Sequence, residues 1–482
     1  MTTSIDAPPA RLLIGSEWVD STDGNTFAVY NPSNEEVLAE VADASETDAV
    51  EALVAAKAAA AAWSTTPARI RSDILLSAFH RIIERREELA GLISLENGKS
   101  LKDARAEVCY AAEYFRWYAE EAVRLRGELF ENPTGTNRVL VSYEPVGICV
   151  LVTPWNFPAA MATRKIGPAL AAGCTAILKP AAETPLTALK IAEILLEAGL
   201  PPGVLNVLPT SNAGTVVNSL LEDDDVRLLS FTGSTEVGRM LLARASGKVL
   251  KTAMELGGNA PFIVLDDADL EEAVDGAMIA KMRNGGQACT AANRFYVHRS
   301  LHDRFVESFV SRLRDVQVAD GFLEDTQCGP LINSEAVTKV HGLVVDAITH
   351  GAECVLGGAP LDRKGHFYPP TLLVNVPENA DILKEEVFGP VVSIVAFDTD
   401  AEAVVAANAT QYGLVSYLYT GNLERGLRMC GELEAGMIAL NRGLVSDPSA
   451  PFGGIKQSGL GREGSREGLL EYVEAKYVAT NW

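Results

Sequence analysis

Nothing in this chain offers a zinc ion or a disulfide framework a foothold. Its seven cysteines (109, 149, 174, 289, 328, 354 and 430) are scattered and odd in number, and no two are spaced as CxxC. That pattern excludes the usual metal and disulfide signatures and fits a reducing compartment. Positive charge is also scarce: 41 Lys and Arg against 64 Asp and Glu give a formal net charge of −23. Nucleic acids and anionic membranes both need a basic face, so neither is expected as a partner. An anionic small molecule stays open, because a few local arginines outweigh a distant, salt-screened acidic surface. No run of ~20 apolar residues exists, so no membrane-spanning helix is expected. The first ten residues hold Asp6 and two prolines but neither a basic nor an apolar region. No signal peptide is therefore expected, and the expected location is cytoplasmic. Internal repeats, low-complexity tracts and long linkers are lacking too.

What the chain does have is length and rhythm. Its 482 residues suggest about three domains, and 48% hydrophobic with 22% charged residues is ordinary for a globular protein. Residues 47–62, 70–96 and 101–125 read as helix. Short apolar runs then recur at 147–152, 174–178, 204–207 and 228–231. Helical patterns at 159–171, 185–198, 213–221 and 235–245 alternate with them. Such alternation predicts βαβ units around a parallel sheet, with ligands at the carboxyl ends of its strands. A second alternating region, from about Pro261 to Ala439, predicts another α/β domain. Residues 470–482 read as a short helix followed by the apolar strand Lys476-Tyr477-Val478-Ala479, an edge that needs covering.

Several residues suggest chemistry. Cys289 lies in Asn284-Gly285-Gly286-Gln287-Ala288-Cys289. Read alone it is either a small buried hydrophobe or a nucleophile, which needs close access and a lowered thiol pKa. Glu255, in Glu255-Leu256-Gly257-Gly258, is either a solvated strand-end carboxylate or a general base, its pKa raised by an apolar setting. Asn156, between Pro154 and Pro158, is either a turn former or an amide donor for an oxyanion. Phe231-Thr232-Gly233-Ser234-Thr235-Glu236-Val237-Gly238 follows a strand and opens a helix, where backbone N–H groups can hold a pyrophosphate. It matches neither GxGxxG nor the P-loop pattern. Lys179 ends a strand, where it can meet a ribose or a phosphate.

Taken together these segments resemble the aldehyde dehydrogenase superfamily. The motifs fall in family order: Thr153 to Pro158, Lys179 to Pro185, Phe231 to Gly238, Glu255 to Gly258, Gly286 to Cys289, Glu385 to Pro390 and Pro451 to Gly454. The resemblance implies an α/β fold with a Rossmann-type cofactor domain (1–122 and 142–254) and a second α/β catalytic domain (255–440). It also implies a small oligomerisation arm (123–141 and 468–482) and a segment closing the substrate site (441–467), in a homodimer or homotetramer. The implied roles are Cys289 as nucleophile, Glu255 as base, and Asn156 with the Cys289 N–H as oxyanion hole. Thr153, Pro154, Trp155, Lys179, Ala182, Gly233, Ser234, Glu386 and Phe388 would meet NADP or NAD.

Within the superfamily the chain is most similar to succinate-semialdehyde dehydrogenases, on Thr163-Arg164-Lys165, Arg283-Asn284 and the stretch from Pro451 to Gly464. The subgroup implies an anionic aldehyde whose distal carboxylate meets Arg164, Arg283 and Ser446, since Arg binds carboxylate bidentately. The rival reading makes both arginines structural ion-pair partners, and Arg442 has no assigned place. Two departures stand out. Ala291 replaces the second cysteine many subgroup members carry, so no disulfide switch is expected in this loop. Ala182 stands where NAD-preferring members often carry Glu, which implies use of both cofactors with a lean to NADP, although Glu183 is adjacent. Open alternatives are glutarate semialdehyde or another omega-carboxy aldehyde, a neutral aldehyde, acyl transfer to CoA, and a non-enzymatic role.

Overall fold

The computed structural model describes residues 8–481. The expected lack of a leader, the first seven residues of the cofactor-binding unit and the last residue of the arm lie outside the described residues.

One sheet of eight strands organises the first half of the chain. In spatial order its strands are Gly459–Leu460, Lys251–Glu255, Val226–Thr232, Ile148–Val152, Thr175–Lys179, Leu205–Val207, Leu12–Ile14 and Glu17–Val19. The five from Lys251–Glu255 to Leu205–Val207 are parallel. Chain order therefore runs outward in both directions from Ile148–Val152, and the reversal falls between that strand and Val226–Thr232. A doubly wound sheet opens a crevice at such a point, beyond the carboxyl ends of the strands. Ile148–Val152 is buried on both faces: Cys149 and Leu151 join a core with Tyr114, Phe115 and Ile166, while Val150 and Val152 join Ile177, Leu229 and Leu256. Continuous apolar strands are what two-sided burial demands.

Two helices beside this sheet, Pro158–Ala172 and Pro185–Glu197, begin with proline and lack a side-chain cap of their own. Remote carboxylates satisfy their first N–H groups. Glu107, in the helix Leu101–Ala122, accepts from Ala159 N at 2.9 Å and Ala160 N at 3.3 Å. Glu96, in the helix Arg86–Asn97, accepts from Leu186 N at 2.8 Å and Thr187 N at 2.9 Å. The orphan N–H donors of a helix start need acceptors, and these carboxyl oxygens supply them.

The second sheet has seven strands: Glu353–Leu356, Thr371–Val374, Val391–Phe397, Ala292–His298, Ala260–Val264, Val415–Tyr419 and Met437–Leu440. All but the edge strand Glu353–Leu356 are parallel. A three-stranded antiparallel sheet joins Glu128–Glu131, Arg138–Pro145 and Val473–Thr480. It exposes Leu129, Phe130, Leu140, Tyr477 and Val478.

The structure corrects three boundaries. The helical reading of 70–96 is interrupted at Arg85, which leaves helical geometry between Ala68–Glu84 and Arg86–Asn97. The reading of 101–125 stops at Ala122. The terminal helix is Ser465–Leu470, so Leu470 closes it, and Val473–Thr480 is all strand. The hairpin Thr26–Asn31 with Glu36–Ala42 had no expectation; its mixed burial obscures the alternation.

Candidate active site

The crevice at the reversal is framed by two turns. The first, after Ile148–Val152, carries Thr153 to Phe157. Its backbone is gripped from outside: the Thr153 N–H donates to the Lys179 carbonyl at 3.1 Å. Asn97 Nδ2 donates to the Trp155 carbonyl at 3.0 Å and Thr184 Oγ1 to the same atom at 3.2 Å. The Asn156 carbonyl accepts from Lys99 Nζ at 2.7 Å and Asn284 Nδ2 at 2.9 Å. The Asn156 side chain donates through Nδ2 to the Gln287 carbonyl at 3.2 Å, and its buried Oδ1 has no partner. The second turn, after Val226–Thr232, is Gly233-Ser234. Ser234 caps the helix Thr235–Ser246 by accepting from Val237 N.

The Cys289 loop enters from the second sheet, just before the strand Ala292–His298. Asn284, Gly285 and Gly286 have φ of 51°, 60° and 77°, a left-handed run that turns the chain sharply after the helix Leu270–Met282. Close backbone approach fixes the loop. A Cβ on Gly286 would lie 2.2 Å from the Gly389 carbonyl oxygen, and one on Gly258 would lie 2.7 Å from the Cys289 carbonyl oxygen. Gln287 Oε1 accepts from Ile332 N at 3.0 Å.

These turns enclose a cavity of about 450 Å³. Cys289 and Asn156 lie on its wall, with Pro154, Trp155, Gly233, Ser234, Glu386 and Phe388. Phe388 meets Trp155 edge to face, centroids 5.3 Å apart, and has a φ of 55°. The residues Thr153, Lys179, Ala182 and Glu255 are not on this wall. Asn333, Glu335 and Lys339, around the start of the helix Ser334–Thr349, line it without having been anticipated. Only an N-cap Asn before a helical run could have hinted at them.

The Cys289 thiol is half-buried, and burial pushes it up to about 12; Arg164 and Arg283 pull it down, while Glu386 and Glu255 push it further up. Burial outweighs the pull of both arginines, so the resting thiol is neutral. Glu255 ends the strand Lys251–Glu255 opposite Thr232 and is buried, with Oε2 unpartnered. Burial, then Glu463, holds its carboxyl well above the usual range, against the pull of Arg164, Lys165 and Arg462. It is not a solvated strand-end carboxylate.

A dinucleotide suits the crevice. Its wall is apolar at Pro154, Trp155, Leu256 and Phe388 yet contains Thr232 Oγ1, buried without a partner. Gly233 leaves room where a Cβ would strike the Phe231 ring at 2.5 Å. Glu386 Oε1 accepts from Gly258 N at 3.2 Å, and burial pushes its carboxyl up to about 7. Lys179 is buried, which lowers its pKa, and Glu183 opposes that shift.

Arg283 stands on the other side of the Cys289 loop. Its guanidinium carbon lies 4.6 Å from the Phe157 ring centroid and 5.7 Å from that of Tyr110. Nη1 donates to Ser446 Oγ at 3.4 Å, and Arg283 has no carboxylate ion pair among the described residues. Arg164 is placed differently. It is 1% exposed, bound through Nε to Glu463 and stacked 4.0 Å over the Phe452 ring, while Nη2 is buried without an acceptor. Ser446 and Phe452 also line a second opening of about 500 Å³, where Arg442 now finds its place. Lys165 and Glu463, both noted only as motif letters, form an ion pair at 2.7 Å. Among the described residues no cluster could hold a metal and no helix is long and apolar enough to cross a membrane.

Comparison with known proteins agrees with this geometry. Residues 18–478 match the model of the Aldehyde dehydrogenase family. The chain is 51% identical to a succinate-semialdehyde dehydrogenase of Paenarthrobacter nicotinovorans, covering 92% of this chain and 98% of that one. It is 45% identical to a glutarate-semialdehyde dehydrogenase of Pseudomonas putida over 96% of each. It superposes on the crystal structure of an NADP-dependent enzyme of Escherichia coli with a TM-score of 0.97 and 44% identity, covering 98% of each chain.

Proposed function

The chain belongs to the aldehyde dehydrogenase family, and within it we propose that it oxidises succinate semialdehyde to succinate. The observation that carries the substrate is Arg283, a cation with only the Ser446 hydroxyl as its hydrogen-bond acceptor among the described residues, between two aromatic rings beside the nucleophile loop. A distal carboxylate completes that site, with the unpartnered Nη2 of Arg164 as a second donor.

Asn156 and Cys289 share a wall, so the aldehyde oxygen would lie between the Asn156 amide and the Cys289 N–H as the sulfur attacks. Asn156 Nδ2 has one hydrogen committed to Gln287 and a second to give. Attack needs the thiol proton removed, because burial keeps Cys289 neutral at rest. Glu255, held as a weak acid by burial, is the acceptor for that proton, passes it to solvent while the thioester stands, and then accepts a second from water. The cofactor, NADP or NAD, supplies the hydride acceptor that turns the thiohemiacetal into a thioester. Glu386, Ser234 and Lys179 would hold its ribose and phosphate groups, and Trp155 and Phe388 would flank the nicotinamide. Ala182 places no carboxylate against a 2′-phosphate, which favours acceptance of NADP. Water then releases the acid and restores the thiol.

The exposed apolar face of the three-stranded sheet supports a homo-oligomer, a dimer or a tetramer, and the chain's own chemistry suits the cytoplasm. The test is product stoichiometry with succinate semialdehyde and NADP. One succinate per NADPH without CoA is expected, and a requirement for CoA would overturn hydrolysis in favour of acyl transfer.

A further inference from the structure

The segment around the start of the helix Leu101–Ala122 lies outside the cavity wall, yet it holds both of the turns that meet there. Lys99 is buried and its Nζ has two oxygen partners: Glu107 Oε2 at 2.5 Å and the Asn156 carbonyl at 2.7 Å. The same ammonium stands 3.9 Å over the Phe157 ring. Glu107 is buried too, and its other oxygen receives Ala159 N and Ala160 N. Lys99 and Glu107 thus grip the backbone on both sides of Phe157. Between them, Asp103 Oδ2 accepts from Asn284 N at 2.9 Å, and Asn284 Nδ2 returns to the Asn156 carbonyl at 2.9 Å. One short stretch of chain therefore ties the Asn156 turn to the Cys289 loop.

A buried ion pair is weak support for stability, because a well-packed apolar replacement is often as good. Its use here is directional. The Asn156 amide is short, and the orientation of its side chain follows the backbone plane that its own carbonyl defines. Two donors on that carbonyl fix the plane. Preorganised donors are what make an oxyanion site effective, and small misplacements cost rate.

We propose that Lys99 is a positioning residue for the oxidation: locked to Glu107, its ammonium fixes the Asn156 carbonyl and so aims the Asn156 amide at the oxyanion. This rests on the reading of Asn156 as the oxyanion donor. Lys99 touches neither the cavity nor the reacting atoms, so it acts through Asn156 or not at all.

The test is a double-mutant cycle on the full-length enzyme with succinate semialdehyde and NADP. Lys99→Met is expected to lower kcat about 10- to 100-fold, less than outright loss of a donor, which costs ~100- to 1000-fold. The KM for NADP should stay within about twofold, since a contact remote from the cofactor wall contributes no uniform binding. In an Asn156→Ala background the same change should lower kcat about twofold or less, because residues acting as a unit are not additive. Multiplicative losses, or a KM effect with kcat intact, would overturn the proposal while leaving Asn156 in its role. An Asn156→Ala enzyme with undiminished kcat would overturn both. Should Lys99→Met fail to fold, Lys99→Met with Glu107→Gln leaves no lone buried charge. That pair should show the same kcat loss, and parental kcat would overturn the proposal.

Discussion

Arg164 is bound by Glu463, a residue 299 positions away, while Arg283 has no carboxylate of its own among the described residues. Two arginines read from sequence as a matched clamp are therefore unequal. Glu463 already neutralises one, and the other is held between rings with its charge unspent.

Arg283→Met should lower kcat/KM for succinate semialdehyde about 30- to 5000-fold, the range for losing one partner of a charged contact that substrate binding would bury. Its stability should change by about 1 kcal/mol or less. Arg164→Met should instead cost about 1–3 kcal/mol in urea unfolding: Glu463 keeps its ion pair with Lys165 but loses a charged hydrogen bond in the core. Equal stability losses would contradict the distinction.

Alkylation of Cys289 in the cofactor-free enzyme should be slow at neutral pH. With the thiol pushed up to about 12, the thiolate fraction and the iodoacetamide rate should rise about tenfold per pH unit across the alkaline range. A plateau below about pH 9 would mean that a cation or base activates the resting thiol.

Glu255→Gln keeps the shape of the buried carboxyl but cannot accept a proton. If acylation survives and hydrolysis fails, rapid mixing should show a burst of NADPH close to one per site, followed by slow turnover. An unchanged steady rate would remove Glu255 from the role of base.

Glu386 links stability to pH. Its carboxyl is held at about 7 in the fold against an ordinary value of 4.5. Between these values the folded state keeps a proton that the unfolded chain has released, so stability falls as pH rises through this window. The penalty is absent below about pH 4.5 and reaches about 3 kcal/mol above pH 7. Relative to Glu386→Gln, the parent should lose stability across that window; parallel profiles would contradict the shift.

Much of this site was legible because its residues sit in short, dense segments. Cys289, Asn156 and Ser234 each lie in a turn crowded with Gly or Pro, and the structure puts all three on one wall. Lys99, Glu107 and Glu463 were illegible for the opposite reason. Each is an isolated charge in a helix or loop, and the partners that give it meaning lie 57, 52 and 299 positions away. The setting of the Cys289 thiol was not legible, because loop composition indicates access whereas the burial that raises its pKa is set by the fold.

The central claim is that a carboxylate-bearing aldehyde completes the Arg283 site. The most direct measurement is kcat/KM for succinate semialdehyde against butanal, equal in carbon count but lacking the carboxylate, with NADP and then NAD. A ratio of about 30 to 5000 is predicted, the cost of losing one partner of a charged contact that substrate binding would bury. A ratio near one would contradict the claim and turn both arginines into structural residues of a dehydrogenase for neutral aldehydes.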